Sequence, residues 1–162
     1  MKSLVVYYSQ FGNTKRVAET IGATLQSAAS ARTVSADALA VEDLVGIDLL
    51  VAGAPTHVGN LPKAVRPILE ALPKGVLRGA LVATFDTSYK MSGLAAKFTA
   101  AKPLLRKLRK LGGKRVVRPE TFSVEAKEGP LCEGEIDRAK AWAVALLSKV
   151  NGPSQPRRTG PQ

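Results

Sequence analysis

Apolar residues in this chain fall into two alternating patterns, short unbroken runs and longer stretches at helical spacing. Ser3 to Tyr8 (SLVVYY) is an apolar run without polar alternation, as expected of a strand covered on both faces. Ile47 to Gly53 and Gly79 to Phe85 read the same way. Asn13 to about Ala29 places Val17, Ile21 and Leu25 on one helical face. Leu61 to Leu72 predicts a second helix, with Pro62 in its first turn and Pro67 bending it or delaying its start. Leu94 to Leu111 carries Phe98, Leu104, Leu105, Leu108 and Leu111, so it predicts a third helix, interrupted or kinked near Pro103 and stopped by Gly112-Gly113. Glu133 to Val150 gathers Ile136, Ala139, Trp142, Ala143, Leu146 and Leu147 on one side and predicts the closing helix.

Weaker signals complete the order. A strand is expected around Arg32 to Ser35 and a helical turn near Val41 to Leu44. Val116-Val117 and Thr121 to Val124 supply a last strand broken around Pro119. Five strands alternating with helices imply an α/β domain built on a doubly wound parallel sheet. That domain takes in residues 1–150. Asn151 to Gln162, with three prolines and two glycines, is expected to be a disordered tail. In such sheets ligands sit beyond the carboxyl ends of strands, where the strand order switches. The loops after the first, third and fourth strands are therefore the ones to inspect.

Composition narrows the class. With 45% hydrophobic and 23% charged residues, the 162-residue chain reads as globular. No apolar run approaches the ~20 residues of a membrane span, and Leu4 to Tyr8 is too short for a signal-peptide core. Cys132 is the only cysteine, which excludes an internal disulfide and a Cys-rich metal site. These features point to the cytoplasm. The net charge of +11 is uneven: 18 Lys+Arg face 7 Asp+Glu through Pro119, against 6 and 6 from Glu120 onward. Such a chain attracts anions, whether nucleic acid, acidic lipid, acidic protein or phosphorylated small molecules.

The loop after the first strand carries candidate chemistry for one of these. In Ser9-Gln10-Phe11-Gly12-Asn13-Thr14, the hydroxyls of Ser9 and Thr14, the Asn13 amide and the helix N-terminal N–H groups can converge on one anion. Gly12 lets the backbone turn sharply and come close to a ligand. An ordinary N-cap in a tight turn would use the same residue types. Neither G-x-G-x-x-G after the strand nor G-x-x-x-x-G-K-[ST] anywhere is present.

Strand, Ser9-x-x-Gly12-Asn13-Thr14 and helix resemble the FMN phosphate loop of the flavodoxin family, whose usual form is Ser/Thr-x-Thr-Gly-Asn-Thr; Phe11 departs from it. The resemblance runs to about Val150 and implies a five-stranded sheet in the order 2-1-3-4-5, of the short-chain type. It also implies FMN as cofactor and roles for two further loops. Pro55-Thr56-His57-Val58-Gly59 would flank the ring, with Thr56 near the phosphate or ribityl chain and His57 where many members have an aromatic. The peptide at Gly59 would turn its carbonyl toward the ring N5 on reduction. After the fourth strand, Tyr89 would stack on the ring, and Asp86, Thr87, Ser88 and Lys90 would supply or flank contacts to its pyrimidine edge.

Other readings of these residues are weaker. Ser9, His57 and Asp86 all lie at strand ends, but Ser9 lacks the G-x-S-x-G elbow of a nucleophile. Cys132 beside Glu133 has no activator. No catalytic residue and no metal ligand is assigned. Lys102 to Arg118 holds eight Lys+Arg opposite a leucine face. It reads as a core-packed helix with a solvated basic side, or as a docking face for an acidic redox partner. Nucleic acid is disfavoured because no aromatics interleave the basic run, while contact with a membrane surface stays open. The leading function is a non-enzymatic electron carrier between redox partners. The alternatives are an FMN-dependent NAD(P)H:quinone-type reductase and a basic binding module on a flavodoxin-like scaffold without flavin.

Overall fold

The computed structural model describes residues 1–90 and 93–152. The three apolar runs form the centre of a parallel sheet: β1 (Lys2–Tyr7), β3 (Leu49–Pro55) and β4 (Leu81–Tyr89). β2 (Ser30–Ser35) lies outside β1, and β5 (Lys114–Arg115) with β6 (Glu120–Val124) continue beyond β4, giving the order β2-β1-β3-β4-β5 with β6 also on β4. The broken last strand is therefore two short parallel pieces along one edge: Lys114 pairs with Leu81, and Glu120 with Phe85. Among the described residues, no helix is long and apolar enough to cross a membrane.

Period-two alternation along each strand divides the core. On one face Val5, Val51, Ala83 and Phe85 pack under α1 (Asn13–Gln26) and α4 (Glu135–Val150), against Val17, Ile21, Ala143 and Leu146. On the other, Leu4, Val6, Leu50 and Val82 pack against Leu104 and Leu108 of α3 (Ala101–Lys110), with α2 (Val65–Glu70) beside it.

Three helices are shorter than expected, each for a local reason. α1 ends at Gln26, where the N–H groups of Ala28 and Ala29 turn back to Leu25 O. α2 begins at Val65, so Pro67 falls in its first turn, where its missing N–H has no acceptor to lose. In the same way α3 begins at Ala101 and Pro103 sits in its first turn, so the segment is interrupted ahead of the proline rather than kinked at it. Gly93–Lys97 forms a separate tight 3-10 turn before it. Val116 and Val117 fall in the gap between β5 and β6, although Val116 N–H still bonds Val82 O. The expected tail lies outside the described residues beyond Gly152.

Arg138 locks β6 to α4. Its guanidinium reaches Glu120 at 2.7 Å, Glu135 at 2.8 Å and the carbonyl of Thr121, and lies 4.6 Å over the Phe122 ring. Glu135 in turn accepts the Ser123 N–H at 2.6 Å. Burial raises the Glu135 pKa, but Arg138 and the Ser123 N–H outweigh it, and the carboxyl sits below its usual range.

Candidate functional site

At the carboxyl edge of the sheet, the loop after β1, the end of β3 and the end of β4 converge on a shallow cavity open to solvent. Ser9, Gln10, Phe11, Asn13, Thr14, Pro55, Thr56, His57, Thr87, Ser88 and Tyr89 line it, so most of the residues expected from three distant segments do meet.

The β1–α1 loop is built around a helix start left open. Gly12 is the N-cap of α1 with φ 92°, a left-handed conformation that spares it a Cβ clash, and it makes no side-chain cap. Its N–H donates to Ser9 Oγ at 3.1 Å, which closes the turn. The first intrahelical bond runs from Arg16 N–H to Gly12 O, so the amides of Asn13, Thr14 and Lys15 have no acceptor within the helix. No acidic side chain occupies that first turn. Uncapped amides, the positive end of a helix dipole and a cavity above them fit a phosphate group. Thr14 Oγ1 is buried and meets Thr87 Oγ1, while Asn13 Nδ2 donates to Glu128 O at 3.1 Å in the turn after β6.

Across the mouth, His57 Nε2 lies 3.0 Å from Gln10 Oε1 and joins the first loop to the second. His57 and Asn60 exchange both backbone bonds, leaving Val58 and Gly59 as a two-residue turn with φ 47° and 71°. Gly59 accepts that conformation freely; Val58, β-branched and fully exposed, is strained there. Thr56 Oγ1 accepts the Ala100 N–H at 2.9 Å, so this hydroxyl is engaged by the entry to α3. Tyr89 is half-exposed on the rim.

Five expected residues do not line the cavity. Gly12, Val58 and Gly59 shape its loops by backbone, and Lys90 is exposed beside Tyr89 but outside it. Asp86 is the clear difference. The segment from Phe85 to Tyr89 is strand, not loop, because its polar side chains find partners inside the sheet layer. Asp86 is fully buried and points under α3, where Oδ2 accepts the Ala101 N–H at 2.8 Å and Oδ1 has no partner among the described residues. Burial pushes its pKa up and outweighs the opposing influence of the nearby Thr99 hydroxyl, the Ala101 N–H and the Thr121 hydroxyl. It anchors a helix start and does not line the cavity.

Two lining residues were not anticipated. Val124 ends β6, and Lys127 lies in the turn held by Asn13. Only the register of β6 against β4 brings that turn over the cavity, and local pattern carries no sign of it. Among the described residues no cluster of ligating side chains fits a metal.

A family model described as flavodoxin matches residues 5–142. The chain belongs to the flavodoxin family. Solved structures with the same fold include Flavodoxin 2 from Bacillus cereus, with TM-score 0.74 and 20% identity over 92% of this chain and 99% of that one. A flavodoxin from the domain Archaea gives TM-score 0.71 and 20% identity, covering 93% and 99%. A WrbA-like protein from Agrobacterium tumefaciens gives 0.72 and 19%, covering 92% and 96%. Among curated proteins, one named NAD(P)H dehydrogenase (quinone) from Syntrophobacter fumaroxidans is 30% identical. That alignment takes in 51% of this chain and 53% of the relative, about half the length of each.

Proposed function

We propose that this chain binds FMN in the cavity at the carboxyl edge of its sheet and passes electrons between redox partners. The observation that carries the reading is the uncapped start of α1 opening into a cavity whose other walls come from β3 and β4. The amides of Asn13, Thr14 and Lys15 would hold the phosphate, with Ser9 keeping the loop in shape. His57 and Tyr89 would bound the ring on its two sides, and the Gln10–His57 contact would open or shift to admit it. When bound, FMN supplies a ring that accepts one or two electrons. The protein's part is to anchor it by one end, shield its faces and leave one edge at the rim. One phosphate site and no apparent second one favours FMN over FAD. The redox partners would be acidic ones, drawn by the cations toward the cavity end, Lys63, Lys90, Lys97 and Lys102. An absorbance spectrum of purified protein and titration of apoprotein with FMN, FAD and riboflavin test this: a colourless protein with no FMN affinity would overturn it.

A second reading, an FMN-dependent NAD(P)H:quinone-type reductase, is favoured by the curated relative's name. The two separate on turnover. A carrier oxidises little NAD(P)H without a separate reductase. Rapid reduction by NADH or NADPH with repeated turnover on a quinone would establish the reductase.

A further inference from the structure

Part of the positive charge of this chain forms a cluster at the end of the sheet remote from the cavity, while Lys63, Lys90, Lys97 and Lys102 lie toward the cavity end. Between residues 61 and 119 there are 14 Lys+Arg and two acids, of which Asp86 is buried. All five ion pairs among the described residues lie outside this half, on α1, α4 and the β2 side.

The fold gathers these cations. α3 delivers Lys107 and Lys110 at its C-terminal end. The turn after it packs on the turn before β4: Leu77 N–H bonds Leu111 O, and a Cβ on Gly112 would stand 3.1 Å from Arg78 N. Lys114 N–H then bonds Ala80 O, setting Lys114 and Arg115 beside the start of β4. Arg78 and Lys74 therefore join a cluster that their sequence distance conceals. Glu70, Asp43 and Asp48 are carboxylates toward this pole; Asp43 is paired with Arg32 at 2.8 Å, and Asp48 already accepts the Lys2 backbone N–H at 2.7 Å.

This pole is too far from the cavity to serve electron transfer. Leu81, the partner of Lys114, and Tyr89 on the cavity rim are eight steps apart along β4, roughly 26 Å at strand rise. An acidic redox partner docked here would sit a full sheet length from any ring. Tyr89, Leu94 and Phe98 are exposed toward the cavity end and Met1 and Val45 beside Lys2 at the margin of the pole, but no large apolar side chain is exposed from Lys74 to Leu81 or from Lys107 to Arg115. The cationic cluster itself therefore has neither the apolar centre of a protein interface nor side chains that enter a bilayer. What remains is a cationic surface, half arginine and half lysine among its core members Arg78, Arg115, Lys110 and Lys114.

We infer that this pole binds the phosphate backbone of duplex nucleic acid, without sequence preference, leaving the cavity facing outward. The lack of interleaved aromatics argues against single strands, which are gripped by stacking, but duplex backbone contacts need only cations and N–H donors. The inference does not depend on the flavin reading.

The test is fluorescence anisotropy of a labelled mixed-sequence DNA duplex, titrated with the full chain over a range of salt. Affinity should fall with salt at a slope of about −0.9 per phosphate contact, roughly −3 to −5 for this cluster. K107Q/K110Q/K114Q should weaken binding at least tenfold and flatten the slope by about 3. K63Q/K97Q/K140Q, with the same net charge and away from the cluster, should weaken it less than threefold. Circular dichroism checks that both variants fold. Equal losses in the two variants would reduce the effect to net charge and overturn the proposal. Tighter binding to phosphatidylglycerol vesicles than to duplex would overturn it in favour of a lipid surface. Competition by polyglutamate as effective as by duplex would overturn it in favour of an acidic protein.

Discussion

Thr14 Oγ1 and Thr87 Oγ1 lie 2.8 Å apart in a buried contact that joins the first turn of α1 to the end of β4. One hydroxyl donates and the other accepts, so removing either leaves its partner buried without a bond. Thr14→Val and Thr87→Val should each lower stability by about 1–3 kcal/mol. The double variant should lose less than the sum, because no orphan remains. Urea denaturation of the four proteins measures this, and additive losses would mean the contact is not formed.

Asn13 belongs both to the first turn of α1 and, through Glu128 O, to the turn that brings Lys127 over the cavity. Asn13→Ala keeps the backbone amide but frees the turn that Glu128 O holds, so it should weaken FMN more than riboflavin, by about 1 kcal/mol. Titration of the apoprotein with both flavins reads the difference. An equal effect on the two would place Asn13 outside the phosphate end.

The strained turn at Val58 makes a prediction about stability. A β-branched residue at φ 47° gives up about 1–2 kcal/mol relative to an ordinary conformation. Val58→Asn would create the Asn-Gly pair that two-residue hairpins with positive φ favour. It should raise stability by about 1 kcal/mol in thermal or urea unfolding. No gain would show that the exposed valine is held in place by other contacts.

Asp86 and Glu135 should act on acid stability with opposite signs. The folded pKa of Asp86 is raised above 3.8 by burial, so its neutral form suits the fold. That contribution is complete below the unfolded pKa and is lost as pH rises through the folded one. Stability should therefore contain a component that declines above about pH 4, and Asp86→Asn should abolish it. Glu135 is depressed below 4.5, so its contribution is present above that value and lost as pH falls; Glu135→Gln should flatten the acid limb. Unfolding free energies measured from pH 3 to 7 separate the two.

Position should decide how charge affects a bound flavin. Reduction adds negative charge to the ring, and a cation at roughly 8 Å changes its energy by about 2 kcal/mol at an effective dielectric near 20. At the far pole, separation well beyond the ~8 Å Debye length screens the effect. Lys127→Gln should lower the reduction potential of bound FMN by tens of millivolts, at about 59 mV per ~1.4 kcal/mol for one electron. Lys110→Gln should leave it nearly unchanged. Spectroelectrochemistry of the two variants tests this, and equal shifts would show a uniform field of the whole chain.

The central strands and the β1–α1 loop were legible because their signals are local: unbroken apolar runs, helical spacing and a glycine where the chain must turn. The end of β4 was misread as loop because Asp86, Thr87 and Ser88 look solvent-seeking. Inside the sheet, Thr14 and the start of α3 satisfy two of them, a pairing between segments far apart in sequence. Lys127 over the cavity and Arg78 beside the end of α3 were invisible for the same reason. In both cases strand register, not residue type, makes the neighbour.

The Arg138 cluster also bears on how copies of this chain behave when concentrated. β6 runs along an open border of the sheet, where bare N–H and C=O groups invite another strand to add on. Here those groups are already occupied: Thr121 O by Arg138, Ser123 N–H by Glu135 and Ser123 O by Cys132 N–H. Alongside it, β5 is only two residues long and Pro119 interrupts the border before β6 begins. Strand-to-strand growth into fibrils or sheets has no starting template on this side, so self-association would have to begin at another surface.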